Sequence, residues 1–280
     1  MTIRKHELFI PDNSSQEKAF EKTTDFGVVA HADDLEMMCC SAITNSYNSN
    51  DKVFSGLVLT NGSGASNIGQ VILTESEMIN TRILEQNQAA SIGRYGFIAQ
   101  LGYSSLEAKD QKNKDDIVET LAWYIEKSRP ERIYIHNLAD KHSTHVVASL
   151  RVLDALRSLK DTYKPKKLLA CEIWRNLDWL SDKEKVALPV LNNKELIKEL
   201  IQNFKSQIFS GKRYDLALLG RLQANATFLD PYSEDTAPLV SLAMDVTHLI
   251  DEPREKTLEF IDEKISTFRN DVVDTIKTYL

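Results

Sequence analysis

Short apolar runs alternate with longer segments of helical period along most of the chain. The apolar runs predict strands at residues 7–10, 26–30, 53–60, 97–100, 132–135 and 167–172. The longer segments predict helices at residues 35–46, 75–92, 115–127, 144–159, 194–204 and 256–279. This alternation is typical of strands joined by crossover helices in a parallel sheet. We therefore predict an α/β fold with a mostly parallel sheet.

The alternation weakens beyond residue 165. Between the helices predicted at 194–204 and 256–279, the pattern indicates a loop-rich stretch that extends to about residue 235. No Pro-, Gly- or Ser-rich linker separates this part from the rest of the chain. We therefore predict a single domain over residues 1–280, in which 175–280 form a loop-rich and helical C-terminal part.

Composition and charge narrow the classes of partner. The 280 residues are 42% hydrophobic and 27% charged, which suits a folded chain with a core, and the net charge of −7 gives no positive field for nucleic acid. No apolar run is long enough to span a bilayer, and the N-terminus lacks a signal-peptide core. The three cysteines form no CxxC pair. These features favour a cytoplasmic protein that acts on a small molecule.

A first candidate site follows the strand predicted at 26–30, where ligands bind in open α/β sheets. His31 and Asp34 are three residues apart, so both side chains can reach one cation. The adjacent Asp33 must then point elsewhere and is free to act as a general base. Alternatively, Asp33 and Asp34 cap the first turn of a helix, which explains the pair about equally well.

A second candidate site follows the strand predicted at 132–135. His142 and His145 begin the next predicted helix, and four of the six histidines of the chain lie just beyond strand ends. Two imidazoles and a carboxylate make a zinc site with one position open to water, although such ligands also suit Fe²⁺, Co²⁺ and Mn²⁺. The joint pattern favours a metallohydrolase over a set of structural histidines.

The two segments together resemble the PIG-L/LmbE-like family of zinc-dependent de-N-acetylases (GlcNAc-phosphatidylinositol de-N-acetylase-like). The resemblance rests on His31-Ala32-Asp33-Asp34-Leu35-Glu36 and on Asp140-Lys141-His142-Ser143-Thr144-His145. Thr60-Asn61-Gly62, Arg82-x-x-Glu85 and Leu101-Gly102-Tyr103 also resemble family segments. The resemblance covers roughly residues 25–150, and it implies a Rossmann-like three-layer sandwich and removal of an N-acetyl group from an amino sugar or sugar conjugate.

Carried over residue by residue, the resemblance implies a role for each polar residue. His31, Asp34 and His145 bind the metal ion, Asp33 is the general base, and His142 stabilises or protonates the tetrahedral intermediate. Arg82 lies near the substrate, against the alternative of a surface ion pair with Glu85.

One residue departs from the family pattern. Thr144 stands where the family commonly has Asp, and we expect Asp140 to supply the missing carboxylate to His142. Glu36 either orients His31 or His145 or is an ordinary carboxylate in a first helical turn.

Two other functions compete with deacetylation. Gly62-Ser63-Gly64 follows a strand and could hold a phosphate group, but the third glycine of GxGxxG is absent, because Asn67 occupies its position and Gly69 comes too late. A member of the family that binds metal or sugar without turnover is the other alternative, favoured only by Thr144. The sequence does not name the N-acetylated sugar, and it leaves a homo-oligomer open.

Overall fold

The computed structural model describes residues 6–64, 73–190, 193–208, 211–230 and 232–280. Within these residues the chain forms eight strands and eleven helices. The strands are β1 (Glu7–Phe9), β2 (Asp25–Val29), β3 (Phe54–Thr60), β4 (Ile98–Tyr103), β5 (Arg132–His136), β6 (Lys167–Cys171), β7 (Lys185–Val190) and β8 (Leu239–Asp245). The helices are α1 (Gln16–Glu21), α2 (Asp34–Met38), α3 (Cys40–Tyr47), α4 (Glu75–Ile92), α5 (Ser105–Lys109), α6 (Lys114–Ser128), α7 (Ser143–Leu159), α8 (Lys194–Gln202), α9 (Lys205–Ile208), α10 (Tyr214–Phe228) and α11 (Lys256–Tyr279).

The eight strands form one sheet in the order β1-β4-β3-β2-β5-β6-β8-β7. Strands β4, β3, β2, β5 and β6 are parallel, whereas β1 and β8 each run antiparallel to their neighbours. The chain builds outward from β2 through β3 to β4, and then returns to the other side of β2 with β5. This reversal opens a crevice at the carboxyl ends of β2 and β5, where ligands bind in such sheets. The prediction of a mostly parallel α/β fold is confirmed.

Helices cover both faces of the sheet. Phe26 and Val28 of β2 pack in a core that also contains Leu121 of α6 and Val152 of α7. Val29, which points to the opposite face, packs in a second core with residues of α2, α3, α4 and α8. The result is a sandwich of helices, sheet and helices, as the family resemblance implies.

Two glycines let α2 approach the sheet closely. Gly27 of β2 and Gly56 of β3 are paired across the two strands. A Cβ atom at Gly27 would lie 2.5 Å from Cδ2 of Leu35, and one at Gly56 would lie 2.4 Å from Cδ1 of the same side chain. Because Leu35 occupies this space, the segment from His31 to Glu36 is held directly above the strand ends.

The sequence predicts most of the strand and helix positions to within a few residues, but two predictions are wrong and two strands are missed. The helix predicted at 35–46 is divided at Cys39, whose backbone leaves the helical region. The stretch predicted to be loop-rich contains α10, and the pattern does not predict β7 or β8. Pro189 lies in β7, which is an edge strand, and proline is tolerated there because one side of the strand needs no ladder hydrogen bonds.

None of the described helices combines the length and the apolar character that crossing a membrane would require.

Candidate active site

The predicted site residues lie at the carboxyl ends of two adjacent strands. β2 leads through His31 and Asp33 into α2, which starts at Asp34. β5 leads through a short loop into α7, whose first turn carries His145. Because β2 and β5 are parallel neighbours, Asp34 and His145 meet at one edge of the sheet, although they are 111 positions apart in the sequence.

Three ligand atoms converge at this edge. The Nδ1 atom of His31 lies 3.1 Å from Oδ2 of Asp34 and 3.2 Å from Nε2 of His145. The Oδ2 atom of Asp34 lies 3.4 Å from Nε2 of His145. Tetrahedral ligands at zinc–ligand distances of 2.0–2.1 Å are about 3.3 Å from one another. The three side chains therefore fit a single tetrahedral metal ion.

A backbone hydrogen bond and neighbouring imidazoles favour the ionised form of the Asp34 carboxylate. Oδ2 of Asp34 accepts a hydrogen bond from the backbone N–H of His31 at 2.8 Å. Burial opposes ionisation of Asp34, but the imidazoles of His145, His136 and His31 hold its pKa well below the usual value. Asp34 is therefore a buried carboxylate that remains ionised beside these imidazoles.

Asp140 lies beside His145 rather than beside the ring of His142. Its Oδ2 atom is 3.4 Å from Nδ1 of His145, while its Oδ1 accepts a hydrogen bond from the backbone N–H of His142 at 3.0 Å. A carboxylate next to Nδ1 favours the tautomer that leaves Nε2 free to bind a metal. The expectation that Asp140 supports the His142 ring is therefore wrong, because its carboxylate faces the neighbouring histidine.

The ring of His142 lies on the solvent-exposed side of the cluster formed by His31, Asp34 and His145. It is partly exposed, and its centroid lies 4.9 Å from that of His31 and 4.7 Å from that of His145. Burial lowers the pKa of His142, and His31 and His145 lower it further. Ligand nitrogens of His31, His142 and His145 all lie within 4.8 Å of one another, so His142 borders the same space as the three converging atoms.

His136 also belongs to the cluster, but one of its nitrogens is already engaged. Its Nε2 accepts a hydrogen bond from the backbone N–H of Ala30 at 2.9 Å, and its ring stacks on His145 with centroids 3.8 Å apart. Asp34, His136 and His145 form a second group of close ligand atoms. Burial, reinforced by His145, lowers the pKa of His136 to about 4. The hydrogen bond occupies the lone pair of Nε2, so we assign His136 to support His145 by stacking.

Asp33 turns away from the three converging atoms because its backbone is left-handed. Its φ angle is +79°, which is uncommon for a residue other than glycine. The carboxylate is buried, and its Oδ1 lies 3.3 Å from Nη2 of Arg82. Burial raises the pKa of Asp33 to about 8 despite the opposing effect of Arg82. Asp33 thus lies next to the cluster without being a member of it.

Arg82 reaches Asp33 from helix α4. Its Nη2 also donates to the backbone carbonyl of Ala32. Gly62, at φ +70°, makes room for this side chain, because a Cβ atom there would lie 2.5 Å from Cδ and Nε of Arg82. Nε and Nη1 of Arg82 are buried and have no hydrogen-bond partner among the described residues. Arg82 therefore lies in the wall of the pocket, held by Asp33 and the backbone of Ala32.

Glu36 contacts neither His31 nor His145. Its Oε1 accepts hydrogen bonds from Tyr95 Oη at 2.7 Å and from Gln86 Nε2 at 2.9 Å, and burial raises its pKa to about 7. The Oε1 atom of Gln86 in turn accepts the backbone N–H of Asp33 at 3.3 Å. The expectation that Glu36 orients a histidine is therefore wrong, since α2 turns it toward α4.

Sequence reasoning missed Gln86 and Tyr95. Gln86 is one helical turn after Arg82 on α4, so the two side chains share a face, and this spacing was the available signal. Tyr95 follows α4 in an ordinary apolar context that gives no comparable signal.

A cavity of about 380 Å³ opens beside these residues. Its far wall comes from the segment after β6 and from α10, with Trp174, Tyr214, Leu218, Arg221 and Leu222 among the lining side chains. Glu172 accepts hydrogen bonds from Leu177 N and Trp179 Nε1 and so fixes this segment. The cavity therefore has a polar side at the strand ends and a mixed aromatic and apolar side opposite.

Comparisons with known proteins agree with this architecture. Residues 27–156 match the family model PIG-L, described as GlcNAc-PI de-N-acetylase. No curated protein matches this sequence.

Solved structures share the fold at low sequence identity. The 4-carboxy-2-hydroxymuconate hydratase GalB from Pseudomonas putida KT2440 is 18% identical with a TM-score of 0.63, over 80% of this chain and 96% of that one. The N,N'-diacetylchitobiose deacetylase from Pyrococcus horikoshii is 12% identical with a TM-score of 0.61, over 86% and 90%. A zinc-inhibited form of teicoplanin deacetylase Orf2 is 12% identical with a TM-score of 0.60, over 80% and 97%.

The matched segment 27–156 includes the histidine and aspartate cluster, Arg82 and the network around Glu36. Residues 27–156 are thus similar to the PIG-L family of de-N-acetylases, and the resemblance inferred from the motifs is confirmed.

Proposed function

We propose that this protein is a metal-dependent hydrolase that removes an N-acetyl group from an amino sugar or sugar conjugate. The observation that carries the proposal is the convergence of His31, Asp34 and His145, with ligand atoms 3.1–3.4 Å apart, next to a carboxylate that takes no part in the cluster. Acetate and a free amine are the products.

His31, Asp34 and His145 would hold the metal ion, and their donor set suits zinc while leaving Fe²⁺, Co²⁺ and Mn²⁺ open. A metal ion bound there supplies Lewis acidity, which polarises the amide carbonyl and acidifies water. Asp140 fixes the tautomer of His145, and the stacked ring of His136 fixes its plane.

Asp33 accepts the proton of the water that attacks the amide carbonyl. Its left-handed backbone points the carboxylate away from the metal ligands and toward the cavity, and Arg82 limits how far burial raises its pKa. His142, on the open side of the cluster, faces the oxyanion that develops on the former carbonyl oxygen. The two groups therefore stand on different sides of the reacting amide.

Gln86 acts as a positioning residue for Asp33. It joins the backbone N–H of Asp33 to the carboxylate of Glu36, which is held in turn by Tyr95. All four residues are buried, so this chain of hydrogen bonds is not exposed to competition from water. It offsets the strain of the left-handed backbone at Asp33.

The cavity suits a small sugar derivative. Arg82 and Asp33 supply charged groups on one side of the cavity, while Trp174 and Tyr214 offer aromatic surface for the apolar face of a sugar ring. The three cysteines are free and buried, which agrees with a reducing compartment, and we place the protein in the cytoplasm.

Two substitutions separate the general base from the metal ligands. We expect Asp33→Asn to keep its metal and to lose about 10²- to 10⁴-fold in acetate release, because an amide cannot accept the proton. His145→Ala should lose both metal and activity. Metal content is measured on purified protein, and acetate and amine are both quantified with a panel of N-acetylated sugars.

The release of both products is needed because a hydratase shares this fold. Metal-dependent turnover without release of an amine would contradict the proposed reaction. Equal loss of metal in Asp33→Asn and His145→Ala would show that Asp33 is a ligand rather than the base.

A further inference from the structure

Among the described residues, helix α11 contacts the body of the protein mainly through its first turns, as far as Lys264. Thr257 and Ile261 are buried, Phe260 packs on His248 with ring centroids 4.6 Å apart, and Lys264 is 2.6 Å from Glu184. From Ile265 to the end of the chain, all residues are exposed except Val273, which is partly buried. About 22 Å of helix, at 1.5 Å per residue, therefore extends largely without support from the other described residues.

An apolar stripe begins in the first turn of α11 and continues along the free part. We define the C-terminal stripe as Leu258, Ile265, Phe268, Val272, Ile276 and Tyr279, which are 41–86% exposed. In a heptad repeat along this helix, positions a are Leu258, Ile265, Val272 and Tyr279, and positions d are Ile261, which is buried, Phe268 and Thr275. Ile276 is at an e position beside Val272 and Tyr279. A helix of this length with an unburied stripe is marginal in water and gains stability when another surface covers the stripe.

We propose that α11 is a dimerisation helix, in which the C-terminal stripe packs antiparallel against the same stripe of a second copy of this chain. The charged residues that flank the stripe indicate that its partner is a second copy of the same helix. In one register, each of these residues faces a residue of opposite charge in the second copy. This proposal does not depend on the proposed function, since no residue of α11 lines the cavity.

The charges flanking the stripe select the antiparallel orientation. Asp262 and Arg269 are charged residues at e positions, and Lys264 and Asp271 are charged residues at g positions. In a parallel pair, each g residue faces the next e residue of the partner, so Lys264 would face Arg269 of the second copy. Two like charges would then oppose each other on both sides of the dimer.

The same charges select one antiparallel register. With Ile265 opposite Phe268 of the second copy, Asp262 faces Arg269 of the second copy and Lys264 faces Asp271 of the second copy. If one helix is shifted by one heptad toward the C-terminal ends, Arg269 faces Arg269 of the second copy and Asp271 faces Asp271 of the second copy. If it is shifted by one heptad in the other direction, Asp262 faces Asp262 of the second copy and Lys264 faces Lys264 of the second copy. The chosen register thus forms four attractive pairs and avoids like-charge contacts.

The Asp262–Arg269 pair is the better one to test, because Lys264 also contacts Glu184 of its own chain. Both residues are exposed, so reversing their charges leaves the folded chain intact. Asp274 is on the opposite side of the helix from the stripe and is also exposed. The variant Asp274→Arg therefore matches Asp262→Arg in its change of charge.

The experiment is sedimentation of the full chain over a range of concentrations at low salt, where exposed charge pairs are least screened. We expect a monomer–dimer equilibrium for the native chain. Asp262→Arg and Arg269→Glu should each weaken the dimer about tenfold, because two attractive pairs become repulsive. The double variant should restore the native affinity, and Asp274→Arg should leave it unchanged.

Phe268→Glu tests the stripe itself and should give a monomer, because it places a carboxylate at the centre of the apolar contact. A native chain that is monomeric at every concentration would overturn the proposal, as would a dimer that Phe268→Glu does not weaken. Single charge reversals that the double variant fails to rescue would overturn the antiparallel register.

Discussion

Strands β2 and β5, in the parallel part of the sheet, bring ionisable side chains into mutual contact. Helix α10 and strand β8, beside the antiparallel part, surround the same cavity mainly with apolar or aromatic side chains such as Leu218, Leu222 and Leu242. The match to the family model ends at residue 156, before the second region begins. We infer that the reaction resides in the parallel part, and that the second region selects the substrate.

The two regions also differ in how firmly their side chains are held. Asp33, Glu36 and Gln86 are almost fully buried and are connected by hydrogen bonds, so each has one arrangement. Trp174 is 43% exposed, and its ring contact in the cavity wall is Tyr214, with centroids 6.3 Å apart. Changes in the parallel part should therefore lower kcat for every substrate, whereas changes in the wall should alter KM for particular substrates.

The substitution Gln86→Leu should separate the two regions most strongly. It removes the acceptor for the backbone N–H of Asp33 and a donor to Glu36, both in a buried site. We expect kcat to fall roughly 10- to 100-fold with little change in KM, because a displaced base affects the chemical step. Steady-state kinetics with several N-acetylated sugars measures the change.

Gln88→Leu is the matched control, because Gln88 is exposed on the same helix. It should leave kcat unchanged. A rise in KM alone for Gln86→Leu would contradict the positioning role and would remove the distinction between the two regions.

A smaller and substrate-dependent effect is expected from Trp174→Ala. Loss of the aromatic surface should raise KM several-fold for substrates that fill the cavity, with kcat nearly unchanged. The control is Trp123→Ala, because Trp123 is 41% exposed on α6 and does not line the cavity. Equal loss of kcat for all substrates with Trp174→Ala would show that the wall takes part in the reaction itself.

The same division explains which features the sequence could predict. In the parallel part, fully apolar strands end at polar clusters, so both the strands and the site edge are visible in the pattern. The strand at Arg132–His136, for example, is followed after a short loop by His142 and His145. Side chains at neighbouring parallel strand ends must meet, which is why His31 and His145 could be brought together without a structure.

The antiparallel part gives weaker signals. Pro189 in β7 reads as a strand breaker, and Gly220 interrupts the apolar spacing of α10. Both elements form because the rest of the protein covers them: β7 pairs with β8, and α10 packs on β8 and α8. The sequence also could not predict which residues the side chains of Glu36 and Asp140 contact. Each has several polar neighbours within one turn, and only the packing of the folded chain decides which of them it reaches.

The smallest effect concerns Thr144, which is beside His145 but should not contribute to the reaction. Its side chain is fully buried, and its Oγ1 has no hydrogen-bond partner among the described residues. Thr144→Val replaces this hydroxyl with a methyl group of similar size, so the free energy of unfolding should rise by about 1 kcal/mol while kcat stays unchanged. Denaturant unfolding and acetate release measure the two quantities.

Thr144→Asp gives the contrast, because a carboxylate buried without a partner should lower the free energy of unfolding. Asp140 is already committed to His145 and to the backbone N–H of His142, so it does not supply a carboxylate to the His142 ring. If Thr144→Asp instead kept full stability and raised kcat, the new carboxylate would be supporting His142. Residue 144 would then influence the reaction through His142. A buried hydroxyl without a hydrogen-bond partner would no longer be a sign that a residue has no effect on kcat.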